Sequence, residues 1–388
     1  MAGAEALRLD ARRPVAERLI ELAAPAAVYL GVRLVGLVML AIMAARDGTD
    51  VLTRLSTWDG AWLRAIAEHG YDVPDDMLDL FGHHTPTTAL CFFPGYPAAV
   101  AAVGTVTGGD LVIAGLVVSL VSGIAAAYAL ARLGELVPGG SRQAGLVLVG
   151  LFAATPMAVV LSMTYTEAMF CAFAAWALVG VLRRQWLLAG LCAAGAGLVR
   201  PTASSLVAAV ALAALVAVLG GGAGWRPWAG AVLSTTGILG YLGYVALQTG
   251  SPTGWFAIQQ AGWASSLDGG GATARYAVEV LFGGDKIFDV LTLVAILGTA
   301  ALLVIGVKMR VPWPLLVYGA LVLVTVWGTD GVMSSKLRLL VPAFTLLLPP
   351  AIALGRRSTG TAVAVVAAAA VASAWFGGYA LTIWPYGI

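Results

Sequence analysis

The densest run of side chains able to do chemistry is 56–71, which reads S-T-W-D-G-A-W-L-R-A-I-A-E-H-G-Y. Asp59 stands between Trp58 and Trp62, and a carboxylate so placed can take a proton from an attacking hydroxyl. Trp58, Trp62, Ala65, Ile66 and His69 recur at i, i+4, i+7, i+8 and i+11, the stripe of a helix lying on a bilayer surface. At about 100° per residue, Glu68 falls on the opposite side from Asp59, so one site uses both only if the helix breaks. Asp at this position also reads as a helix N-cap. The two roles exclude each other only in part. Trp58, Trp62, Arg64, Glu68 and His69 are the candidate binding residues around Asp59.

A second constellation is Thr164-Tyr165-Thr166-Glu167, directly before an apolar run. Thr-x-x-Glu is a capping box; the alternative is a carboxylate with hydroxyls at the mouth of a helix bundle. The third is a set of cations at the ends of apolar segments: Arg200, Lys336 and Arg338. Each alone reads as a side chain reaching for the interface, whereas together they offer the donors that a lipid phosphate needs. Arg33 lies inside an apolar run, where a lone cation is costly, so a cavity, a partner or a bundle-facing orientation is implied.

Metal chemistry finds little support. His83 and His84 are two of only three histidines, and zinc usually takes four N/S ligands. Asp72, Asp75, Asp76 and Asp79 supply oxygen ligands suited to a divalent ion, but they also read as a solvated acidic loop. Neither a metal nor a cofactor is expected. The three cysteines, Cys91, Cys171 and Cys192, do not make a disulfide framework, and no glycine-rich nucleotide loop is present.

The elements that must position these groups are helices in a membrane. Of 388 residues, 60% are hydrophobic and 11% charged, against about 25% charged in soluble chains. A cytosolic enzyme and a disordered tail are excluded, and a net charge of +2 excludes a basic nucleic-acid surface. Apolar segments fall at about 20–44, 91–107, 111–131, 144–161, 167–182, 186–199, 203–219, 228–248, 287–306, 312–328, 337–354 and 360–383. Thirteen of the 22 basic residues lie in 1–19 and in short connections at 131–143, 183–184, 226, 308–310 and 356–357, which marks that side as cytoplasmic. The charge pattern closes only if 91–107, the segment opened by C-F-F-P-G-Y-P, does not cross.

The expectation is one all-α polytopic domain of about eleven transmembrane helices, with the N-terminus cytoplasmic. The apolar part of the first segment exceeds a signal-peptide core and stays as a span. Outer loops 45–110, with juxtamembrane helices, and 249–286 would hold the chemistry on the extracytoplasmic face.

At the level of motifs the chain resembles GPI mannosyltransferase 2, the PIG-V family, in its short bacterial form. The resemblance rests on W-D-G-x-W…E-H-G-Y (58–71), F-F-P-G-Y-P (92–97), Y-T-E-A-M-F (165–170), R-Q-W-L-L-A-G…L-V-R-P (184–201) and K-L-R-L-L-V-P (336–342). It spans essentially the whole chain and is weakest in the last third. It implies the GT-C superfamily of membrane glycosyltransferases, with juxtamembrane helices before the second span and an essential acid in the first outer loop. It further implies a polyprenyl-phosphate-mannose donor, inversion to an α-mannoside, and Asp59 as general base. Arg200, Lys336 and Arg338 would then clamp the phosphate, while Tyr165 and Glu167 would meet acceptor or sugar. The acceptor would be a lipid, a polysaccharide or a protein. Eukaryotic members follow the arginine with Ser-Asn-Gly, whereas Pro201-Thr202 stand here. Two rivals belong to other classes: a transporter or flippase of lipid-linked sugars, which calls for charges on broken helices near the midplane, and a scaffold that keeps the fold without the chemistry.

Overall fold

A computed structural model describes residues 15–221 and 224–388. Arg8, Arg12 and Arg13, on which the cytoplasmic N-terminus partly rests, lie outside the described residues. The first apolar run forms α1 (Val15–Arg46). The first long connection follows with α2 (Val51–Leu55), α3 (Asp59–His69), a 3-10 turn at Thr88–Cys91, and α4 (Gly95–Gly104). α4 has ten residues, about 15 Å of helix, half of the roughly 30 Å hydrocarbon core. It does not have the length to cross, as the proline-bounded motif predicts.

Next come α5 (Leu111–Leu136), α6 (Arg142–Ala153), α7 (Glu167–Leu182), α8 (Trp186–Gly197), α9 (Ala203–Leu219) and α10 (Arg226–Thr249). The second long loop holds α11 (Gly254–Trp263) and α12 (Gly271–Gly283). After it run α13 (Ile287–Lys308), α14 (Trp313–Trp327), the single turn α15 (Lys336–Leu339), α16 (Leu348–Gly355) and α17 (Thr359–Thr382).

The apolar segments expected to cross are all helical, but not uniformly long. α5, α10, α13, α17 and the Leu19–Arg46 part of α1 are each long and apolar enough to span. The pair Met333–Leu339 and Val341–Gly355 is bent by 53°, the form of a broken span or of a re-entrant loop. α6, α7, α8, α9 and α14 are shorter apolar helices.

Two segments expected to be continuous are broken. The helix expected over 144–161 stops at Ala153, because Pro156 offers no N–H and biases the residue before it away from helix. The chain then turns through a 3-10 segment at Ala158–Ser162. The helix expected over 337–354 is interrupted around Pro342 and tightens to a 3-10 run over Val341–Leu347.

Small residues draw the helices together. A Cβ on Gly190 would lie 2.6 Å from the Gly230 carbonyl, so α8 and α10 meet backbone to backbone. In lipid, where apolar side chains gain nothing by leaving their solvent, such close contact supplies the association. α1 packs along α17, and α5 along α7. Among the described residues there is no named strand, only one isolated bridge, Leu267 to Thr329.

The two long connections, 45–110 and 249–286, pack on each other. Leu80 donates its backbone N–H to Gly262 at 3.1 Å, and Trp255 Nε1 donates to the Cys91 carbonyl at 3.2 Å. The α3 stripe corrects the expectation of a bilayer-facing helix. Trp62, Ala65 and Ile66 are buried in the protein, with Trp62 5.7 Å from the Phe92 ring and 5.9 Å from Trp263, while His69 is exposed.

Candidate active site

The site forms where four separate segments bring charges to one place. Asp59 opens α3, Glu167 opens α7, Arg200 lies in the connection after α8, and Arg338 rides on α15. Arg338 Nη1 lies 2.6 Å from Asp59 Oδ2 and 3.4 Å from Glu167 Oε1; Arg200 Nη1 lies 2.5 Å from the same Glu167 oxygen. The result is an alternating row, Asp59–Arg338–Glu167–Arg200. It is most open at Asp59 and sealed at Glu167: the side chains are 25%, 12%, 0% and 8% exposed in that order. Thr166 Oγ1 accepts from Arg200 Nη1 at 2.8 Å, and the Arg338 guanidinium lies over the Tyr165 ring at 5.2 Å. Burial, and then the Asp59 carboxylate, push the Tyr165 phenol well above its ordinary value, so it stays a neutral group.

Local sequence explains how the row is held. Trp58 caps α3 with φ of +52°, a backbone state disfavoured for a bulky residue, and this turn starts α3 immediately at Asp59. Asp59 makes no capping bond; it is the first helical residue and its carboxylate goes to Arg338. Gly60 allows the next close approach, since a Cβ there would collide with Thr164 Oγ1. Thr164 in turn donates its backbone N–H to the Leu55 carbonyl at 2.9 Å. The capping-box reading of Thr164 and Glu167 also fails: Thr166 caps α7 without a side-chain bond, and Glu167 is buried between two arginines. On the other side, the Gly95 N–H reaches the Leu198 carbonyl at 2.7 Å, which joins the F-F-P-G-Y-P turn to the segment carrying Arg200.

Other candidates lie apart from the row. Lys336 is 1% exposed and donates to the Val326 and Thr329 carbonyls at 2.7 and 2.6 Å. It satisfies carbonyls at the end of α14, apart from the row. Arg64 and Glu68 line a surface groove of about 410 Å³ with Asp110 and the end of α4; Glu68 and His69 are 3.8 Å apart and exposed. Trp58 is half-buried, near the backbone of Gly387. Arg33 finds its partners in Ser162 Oγ at 2.9 Å and the Ala153 carbonyl at 3.0 Å, groups freed where the helix breaks at Pro156.

In the acidic loop, Asp79 accepts from the N–H groups of Phe81 and His83, and His84 Nδ1 lies 3.0 Å from the Met77 carbonyl. No metal-ligating group of three or more His, Cys, Asp or Glu occurs among the described residues. Thr166 is the site residue that motif reading passed over, although it stands inside Y-T-E.

At the Asp59 end of the row two atoms are neither bonded nor sealed. Asp59 Oδ1 accepts no bond from the described residues, and Arg338 Nη2 makes none and is not among the sealed polar atoms. An open acceptor thus sits beside an open donor, which suits taking a proton at one and holding an anion at the other.

No family model matches the chain, and no curated protein matches it. Among solved structures, ArnT from Cupriavidus metallidurans bound to undecaprenyl phosphate superposes with a TM-score of 0.53 at 14% identity, covering 87% of this chain and 63% of that one. The chain therefore spans less than two thirds of ArnT. The archaeal oligosaccharyltransferase AglB from Archaeoglobus fulgidus, in complex with an inhibitory peptide and a dolichol-phosphate, gives a TM-score of 0.44 at 15% identity, over 93% of this chain and 56% of that one. At such identities the likeness is one of fold. The chain is an all-α polytopic membrane protein whose helical bundle is similar in fold to that of ArnT.

Proposed function

We propose that the chain is a membrane glycosyltransferase that moves mannose from a polyprenyl-phosphate donor to an acceptor hydroxyl on the extracytoplasmic face. The observation that carries the reading is the pairing of Asp59 and Arg338 at the open end of a buried charge row. The GT-C-like fold supports it, and so does the motif resemblance, from which the choice of mannose is taken. Asp59 Oδ1 takes the proton of the acceptor hydroxyl while its oxygen bonds to C1 of the sugar. The C1–O bond to phosphate breaks on the opposite face, its electron pair leaves with the polyprenyl phosphate, and the anomeric centre inverts. Arg338 meets the charge that develops on the phosphate, the step at which fixed donors contribute most. The test is transfer of radiolabel from polyprenyl-phosphate-mannose into a membrane lipid extract, wild type beside Asp59→Asn. Label should move only with wild type; transfer by the variant near the wild-type rate would remove Asp59 from the mechanism.

One feature favours a second reading. The 53° break that carries Lys336 and Arg338 is the kind of discontinuous helix a transporter uses. Translocation of a lipid-linked sugar in proteoliposomes, without any sugar transfer, would decide for it.

A further inference from the structure

Eight buried side-chain polar atoms lack a partner among the described residues, and four of them belong to one cluster: Tyr165 Oη, Glu167 Oε2, Arg200 Nε and Arg338 Nε. This concentration marks the row as a place where polar groups are held for geometry at a cost in hydrogen bonding. Within it Glu167 is the sealed member. It is 0% exposed, and its Oε1 is shared between Arg200 and Arg338. A guanidinium on its flexible stem, held by the half-open Asp59 alone, would sample many rotamers. Contact with Glu167 on one side and the Tyr165 ring beneath leaves Arg338 a single arrangement.

We propose that Glu167 is a positioning residue that touches no substrate: it fixes Arg338 against Asp59, and Arg200 with Thr166 fixes Glu167. The pair Glu167–Arg200 is then retained for orientation, since buried ion pairs in general add little net stability. Only the kinetic arm of the test below rests on the glycosyltransferase reading.

The first arm needs no turnover. Asp59 is labelled with a water-soluble carbodiimide in detergent and quantified by peptide mass spectrometry, with Arg338→Met setting the level for an unguarded carboxylate. Glu167→Gln should raise Asp59 labelling to that level, and Glu167→Asp should fall between it and wild type. Wild-type labelling in a folded Glu167→Gln protein overturns the proposal. If that variant does not fold, Glu167→Gln with Arg200→Met, which leaves no lone charge buried, is read in its place.

The second arm is the split between kcat and KM. A displaced Arg338 should lower kcat by up to about 100-fold, the cost a misplacement near 1 Å can reach, with the acceptor KM unchanged. A raised KM at wild-type kcat would make Glu167 a substrate contact and overturn the proposal. So would unchanged kcat in a folded variant. If wild type transfers no sugar, the glycosyltransferase reading falls, and the labelling arm still decides on Glu167.

Discussion

Every member of the row keeps an unengaged atom, but Asp59 and Arg338 are its two most exposed residues and each has one that is not sealed, so single-residue chemistry concentrates on them. Replacing Asp59 with Asn keeps the shape and removes the base. Transfer should drop by about 10²–10⁴-fold, the range for losing general-base catalysis, with the thermal midpoint close to wild type. Arg200 behaves differently because it is sealed. Arg200→Met leaves Glu167 with only the longer contact to Arg338, and removing one partner of a buried pair costs about 3–5 kcal/mol. A large fall in midpoint by thermal unfolding in detergent is expected, and a midpoint near that of wild type would show that Arg338 alone neutralises Glu167. At this scale the sequence was partly legible. Asp59, Glu167, Arg200 and Arg338 stood out by type and by motif, but nothing in their spacing tells that Glu167 lies between two arginines drawn from elements 33 and 171 residues away.

Elements bring those residues together through glycine contacts and broken helices. The Gly60 approach to Thr164 makes a direct test of how α3 is seated. Gly60→Ala should destabilise by about 1–3 kcal/mol through overpacking and lower transfer with it, and Thr164→Ala in the same chain should recover both, since the clashing oxygen is then gone. Failure of the recovery would mean that the α3 start depends on something other than space. Lys336 is the companion case. It holds two carbonyls at the end of α14, so Lys336→Met should lower the melting midpoint while leaving the donor KM unchanged. A raised donor KM in a folded variant would return Lys336 to the phosphate clamp. Helix existence and the short α4 were legible from apolar run length and proline placement. The breaks at Pro156 and Pro342 carry the same proline signal, but there the length of the apolar runs outweighed it. The burial of the Trp62 stripe was hidden for another reason: an amphipathic period marks an apolar face without saying whether lipid or protein covers it.

At the scale of the whole molecule, hydrogen bonds join segments 45–110 and 249–286, and the charge row has its most exposed end at Asp59. Two negative and two positive groups in alternation sum to zero and resemble a string of opposed dipoles, whose field decays far faster with distance than that of a lone ion. Such a mouth neither draws anions from afar nor repels them; it tells ligands apart only on contact, by how their own charges are arranged. A donor dissolved in the same bilayer arrives by lateral diffusion and has no need of long-range steering. Raising ionic strength about tenfold shortens the screening length to a few ångströms but leaves interactions at contact largely intact. The donor KM in nanodiscs should therefore hardly respond to salt, and a steep salt dependence would reveal a cationic funnel elsewhere on the outer surface that draws the phosphate in.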